Sequence, residues 1–142
     1  MNGIFGSMDI SLSALQAQRK RLDAIASNLA NAETTSTPQG GPYVRQQAVF
    51  EAVMNDAMSG DGSPQVGGVR VASISQDPRP PIVVHNPGHP DADSNGNVMM
   101  PDIRPAEEMA DLLQASRSYE ANSAALKISR AMFLKALDFG KA

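Results

Sequence analysis

Cysteine and tryptophan are absent from this 142-residue chain, and aromatic residues make up only 4% of it. The first absence excludes disulfides, thiolate nucleophiles and Cys-bound metals. The second removes most of the side chains that bury the largest area per residue. A single large core is therefore not expected, and partner chains are expected to supply part of the stability. An excess of basic charge is lacking too: 12 Lys and Arg face 15 Asp and Glu, for a formal net charge of −3. Nucleic-acid binding needs a basic field that this balance does not provide. Nor does any segment approach the roughly 20 apolar residues of a membrane-spanning helix, so no direct membrane insertion is expected. The start, Met1 to Ile10, has neither a basic region nor an uninterrupted apolar stretch, so it does not read as a cleaved secretory signal. Taken alone this suggests the cytoplasm, with export by a route that needs no cleaved signal left open.

What the chain does have is helical periodicity at both ends. Met8, Leu12, Leu15, Arg19, Leu22, Ala26 and Leu29 step alternately by four and three, the spacing of one helix face. A helix is predicted from about Ser7 to Ala32, with Ser7 as N-cap and Asp9 in the favourable first turn. Thr34-Thr35-Ser36-Thr37-Pro38 stops it. A second helix is predicted from Pro105 to Phe139, with Pro105, Glu107 and Glu108 suited to its first turn and Gly140 to its end. Its seam reads Met109, Leu112, Ser116, Tyr119, Ser123, Leu126, Arg130, Phe133, Leu137, while Leu113, Ile128 and Leu134 widen the apolar face.

Between the helices proline and glycine cluster, which excludes long helices there. Short strand-like runs occupy Tyr43 to Phe50, Val69 to Ser75, Ile82 to His85 and Val98 to Met100. Met54 to Gly67 is predicted as a mobile loop. The expected fold class is α+β: N- and C-terminal helices pairing as a coiled coil, with a small β-rich insert between them. The expected divisions are an N-terminal assembly helix (1–35), the insert with its Pro/Gly loops (36–104) and a C-terminal assembly helix (105–142).

A heptad stripe is more often an ordinary buried face than an assembly surface. Here two such stripes flank an insert with few large apolar groups, and the lateral residues of the second helix have nothing to cover them. Exposed apolar surface of that extent marks an interaction site. The expected assembly seam is Leu12, Leu15, Leu22 and Leu29 on the first helix, with Leu112, Tyr119, Leu126, Phe133 and Leu137 on the second. Arg19 and Arg130 interrupt it; each either sets register or runs its charge out to solvent along an aliphatic stem. Asp23, one turn beyond Arg19, is placed to pair with it weakly.

Candidates for chemistry are few. Asp91 to Asp102 imitates a calcium loop, with oxygen donors Asp91, Asp93 and Asn95, then Gly96, then Asp102 at the twelfth position. Asp102 is shorter than the usual chelating Glu, Met99 offers no oxygen, and prolines deny the loop its flanking helices. Asx-rich stretches also form turns by bonding their own backbone. Calcium binding by this loop is thus the alternative rather than the main reading. His85 and His89 are the only histidines, a thin basis for a metal pair or an acid–base dyad. No segment supplies nucleophile, base and orienting group together, so no enzyme activity and no cofactor are expected.

Ser27-Asn28-Leu29-Ala30-Asn31-Ala32-Glu33-Thr34 resembles the Asn-Leu-Ala-Asn-x-x-Thr element of bacterial flagellar rod and hook proteins, through Asn28, Asn31 and Thr34. Gly41-Pro42-Tyr43, Pro87-Gly88-His89-Pro90-Asp91-Ala92-Asp93, Glu107-Glu108-Met109 and Ser118-Tyr119-Glu120-Ala121-Asn122 are similar to elements of proximal rod proteins of the FlgC type. They occur in the same order and span nearly the whole chain. The resemblance implies a structural subunit of the flagellar basal body, in the rod that crosses the periplasm. It further implies partners in other rod subunits and in itself, contact with the flagellar type III export apparatus, and a neighbour in the basal-body ring base.

Overall fold

The computed structural model describes residues 2–58 and 64–139. Helix α1 (Asn2–Ala30) is followed by strands β1 (Gln46–Met58), β2 (Pro64–Gln76), β3 (Ile82–His85) and β4 (Asn97–Met100), and then by helix α2 (Pro105–Phe139). The α+β order of helix, β insert and helix is thus present. At about 1.5 Å per residue the helices are roughly 43 and 52 Å long. They pack against each other. Arg21 meets Asp111 and Asn28 meets Glu108, so α1 is descended as α2 is climbed and the pair is antiparallel.

Ser7 is not an N-cap. The helix begins five residues earlier, at Asn2, and no acidic residue falls in its first turn. With residues 2–6 already helical, Ser7 lies in the interior, where its carbonyl accepts the Ser11 hydroxyl at 2.9 Å, a bond between hydroxyl and preceding turn typical of helix interiors. The far end of α1 tightens as its backbone partners run out. Asn31 N and Asn31 Nδ2 both donate to Ser27 O, at 3.1 and 2.9 Å. The chain then reverses at Gly40 and Gly41, whose φ values of 88° and 78° favour glycine. Thr37 N bonds Gly41 O, and Tyr43 N returns to Thr34 O at 3.0 Å. Helix α2 begins as its sequence predicts: Pro105 occupies the first turn, where a missing N–H costs nothing, and Arg104 O accepts from Glu107 N and Glu108 N.

Strands β1 and β2 form a long antiparallel hairpin, from Gln46 opposite Gln76 to Met58 opposite Pro64. Pairing therefore continues through most of the stretch predicted as a mobile loop. The register shifts between Val49 and Phe50 and between Val53 and Met54, so bulges absorb the irregular sequence where a break was expected. Residues 59–63, the remainder of that expected loop, and Gly140, the expected helix stop, lie outside the described residues. The hairpin packs along α1. Gly68 makes the close approach possible: it is buried with φ +146°, and a Cβ there would fall 2.5 Å from Ser13 Oγ. Ser13 Oγ accepts from Val69 N at 3.1 Å and donates to Ile10 O at 2.7 Å. Strands β3 and β4 pair antiparallel in a separate two-stranded sheet.

The apolar core is small. Among the described residues it comprises Ala17, Ala24, Ile25 and Ala115 on the helices, with Val98 on β4 and Ile103 in the segment between β4 and α2. Half of these are alanines, whose small volume lets helix backbones approach closely.

Candidate functional site

Two features stand out where the insert meets the helices and along the helix faces. The first is a polar junction. Asn28 and Glu108 are 0% and 1% exposed, the most deeply buried polar residues described. Burial of such groups is tolerable only with their hydrogen bonds made, and each is engaged. Asn28 Oδ1 accepts from Gln46 N at 2.8 Å and from the Tyr43 hydroxyl at 3.2 Å. Asn28 Nδ2 donates to Gln46 O at 2.8 Å and to Glu108 Oε2 at 3.1 Å. Glu108 Oε1 takes a charge-assisted bond from Arg45 Nε at 2.7 Å. The Tyr43 hydroxyl also meets Ser27 Oγ at 3.0 Å.

From Arg45 the network spreads outward. Its guanidinium reaches Asp77 at 3.5 Å and Asp111 at 3.8 Å, and Asp111 also meets Arg21 at 3.3 Å. Arg79 bridges Asp77 at 2.8 Å and Asp102 at 3.0 Å. The Arg79 side-chain hydrogen bond, and then the Arg79 main-chain N–H, hold the Asp77 carboxyl at about 2, below its ordinary 3.8. The opposite charges of Arg79 and Arg45 add to this.

Of the motif residues, Asn28 and Tyr43 belong to this junction and the others shape the turns and loop around it. Asn28, Asn31 and Thr34 close α1, with Thr34 Oγ1 donating to Asn31 Oδ1 at 3.2 Å. Gly41 and Pro42 form the turn that delivers Tyr43. Thr35 Oγ1 donates to Asp91 Oδ2 at 2.6 Å, tying in the loop of Pro87, Gly88, His89 and Pro90. Within that loop His89 Nδ1 accepts Asp91 N at 3.1 Å, and Asp93 Oδ1 accepts Asn95 N and Asn97 N, both at 2.8 Å. The proposed calcium donors thus have separate employments: Asp91 with Thr35, Asp93 with its own backbone, Asp102 with Arg79. Among the described residues no group of three His, Asp or Glu is gathered as a metal site.

The second feature is the helix faces. Of the seam residues, Leu15, Leu22, Leu29, Leu112, Leu126 and Phe133 are half-buried, whereas Leu12, Tyr119 and Leu137 are exposed. Full burial goes instead to Ala17, Ala24, Ile25 and Asn28 on α1 and to Glu108 and Ala115 on α2. Arg19 and Arg130 are exposed, and among the described residues no ion pair joins Arg19 to Asp23. Away from α1, helix α2 carries a second stripe at helical spacing: Met109, Leu113, Ile128 (61% exposed), Met132 and, at its end, Phe139 (83% exposed).

Sequence reasoning missed Arg45, Asp77, Arg79 and the buried role of Glu108. The available signal was a seven-residue spacing, Ala17 to Ala24 and Glu108 to Ala115. A small-residue stripe of that kind marks where helix axes come closest, and Glu108 stands on it.

Comparison with known proteins agrees with this layout. Residues 8–36, most of α1 and the motif that closes it, match the family described as flagella basal body rod protein. Residues 94–139 match the C-terminal family of flagellar basal body rod FlgEFG proteins. The flagellar basal-body rod protein FlgC of Salmonella typhimurium is 45% identical over 133 residues, covering 94% of this chain and 95% of the relative. This chain belongs to the FlgC family of flagellar basal-body rod proteins. Other FlgC relatives are as extensive: that of Borreliella burgdorferi is 42% identical with 95% of this chain and 96% of the relative covered. That of Bacillus subtilis is 40% identical, with 96% and 98% covered. FlgC relatives therefore align over both helices and the junction between them.

Proposed function

We propose that this chain is a structural, non-catalytic subunit of the proximal part of the flagellar rod, which polymerises through its terminal helices into a tubular axial structure that transmits torque and passes exported subunits. The observation that carries this reading is the second apolar stripe of α2, left uncovered by the chain itself. Exposed apolar clusters of this kind call for a partner, and membership of a rod family names its class. Copies of this chain and other rod subunits are the partners, with the ring base of the basal body as a further neighbour. In the assembled rod Leu12, Leu15, Leu22 and Leu29 pack with Leu112, Tyr119, Leu126, Phe133 and Leu137 as a continuous coiled-coil seam, whose outer edge neighbouring subunits cover.

A thin core also suits delivery through the flagellar type III export apparatus without a cleaved signal. A chain that gains much of its burial from neighbours passes through a narrow channel unfolded and orders as it joins the growing tip, where subunit contacts offset the lost conformational entropy.

The test is Ile128→Asp and Met132→Asp, at positions that face solvent in the single chain. Each is expected to leave the circular dichroism of the purified chain unchanged and to abolish rod assembly and swimming, because a carboxylate would be buried without a partner. Normal swimming by both variants refutes the proposal.

A further inference from the structure

A strand normally finds its hydrogen bonds on a neighbouring strand. At the start of β1, one main-chain pair is instead satisfied by a side chain. The Asn28 carboxamide carries a carbonyl and an N–H group, as a peptide unit does. It uses both on the same residue: Oδ1 takes Gln46 N and Nδ2 gives to Gln46 O, each at 2.8 Å. On its other side Gln46 faces Gln76 of β2, so the hairpin begins between a real strand and a side-chain imitation of one.

We infer that Asn28 acts as a surrogate strand residue that fixes where the hairpin attaches to α1, and that the Asn28–Glu108–Arg45 knot joins the insert and both helices into one cooperatively opening unit. Three observations support this. The donors and acceptors come from three separate pieces of chain: the end of α1, the stretch of Tyr43 to Gln46 that runs into β1, and the first turn of α2. Each bond needs two of these pieces together, and Asn28 has all its bonds only when all three have met. Both side chains are withdrawn from water, so opening any one contact strands a buried polar group, and the cost of a partial opening approaches that of opening the whole. Finally, Asn28 has a single fitting shape: Asp lacks the N–H groups, and Gln places its carboxamide one methylene too far along. This joint is independent of the assembly reading; it concerns the single chain.

The test is native-state hydrogen exchange of the full chain, comparing hairpin amides of residues 46–53 with helix amides of residues 17–28. In the unaltered chain the two sets are expected to open together, with protection agreeing to within about threefold. In Asn28→Ala the hairpin amides are expected to lose at least about tenfold more protection than the helix amides, because the joint is cut while the helix pair remains. Tyr43→Phe removes one bond to Asn28 and is expected to give the same separation at smaller size; it carries the test if Asn28→Ala does not fold. Arg70→Ala, which breaks an exposed pair with Glu51 on the hairpin, is expected to produce no separation. Separate opening of hairpin and helices in the unaltered chain overturns the inference. So does equal loss of protection in both sets in Asn28→Ala or in Tyr43→Phe.

Discussion

Two regions of the helix pair invert the usual rule of polar outside and apolar inside. Where the insert attaches, Asn28 and Glu108 are withdrawn from solvent with their hydrogen bonds made inside the chain. On the outer faces of the helices Ile10, Leu12, Met109, Leu113, Met132, Leu137 and Phe139 stand exposed. Polar groups are buried where the chain can satisfy them itself, and greasy ones are left in water where it cannot cover them. The junction is satisfied within the single chain, and the apolar outer faces are not.

Breaking the junction should therefore cost the single chain far more than altering the greasy faces. Glu108→Ala leaves Arg45 and Asn28 without their shared carboxylate, and is expected to destabilise the chain by about 3–5 kcal/mol, read from its urea midpoint. Next in size is Gly68→Ala, which adds a Cβ 2.5 Å from Ser13 Oγ at a φ that side chains rarely adopt. A loss of about 1–3 kcal/mol is expected, read from the urea midpoint. A smaller effect is expected from acid. The Asp77 carboxyl titrates at about 2 in the folded chain, against 3.8 ordinarily. Its contribution is present above about pH 4 and disappears as pH falls through about 2. Asp77→Asn should flatten stability across that window, and carbon-detected NMR titration of Asp77 should show the low midpoint. Least of all is expected from Leu113→Ser at the exposed stripe, within about 0.5 kcal/mol in the monomer. A large loss there would show that the stripe is already covered within the single chain.

Much of this architecture is legible in the sequence, for reasons that also explain what is not. Both helices announce themselves through spacing, and Pro105 marks its own boundary because its ring suits only a first turn. Ser7 misleads because a good capping residue also fits the interior of a helix that begins upstream of it. The hairpin beyond Met54 is obscured by Gly60, Gly62, Pro64 and Gly67, read as breaks although pairing resumes at Pro64. The junction is the least legible part. Asn28 and Glu108 lie 80 positions apart, and Arg45 and Glu108 lie 63 apart, and nothing local in a charged residue tells whether its partner is water or a distant side chain. The family motif pointed to Asn28 without stating its task, which only the geometry of Gln46 supplies.

The antiparallel course of the two helices has an electrostatic consequence. Each helix carries about half a positive charge at its start and half a negative charge at its finish. The end of α1 lies beside the start of α2, so opposite partial charges meet there and the two antiparallel dipoles oppose each other along the pair. Opposed in this way, the two backbones leave the pair with little net dipole to repel a neighbour.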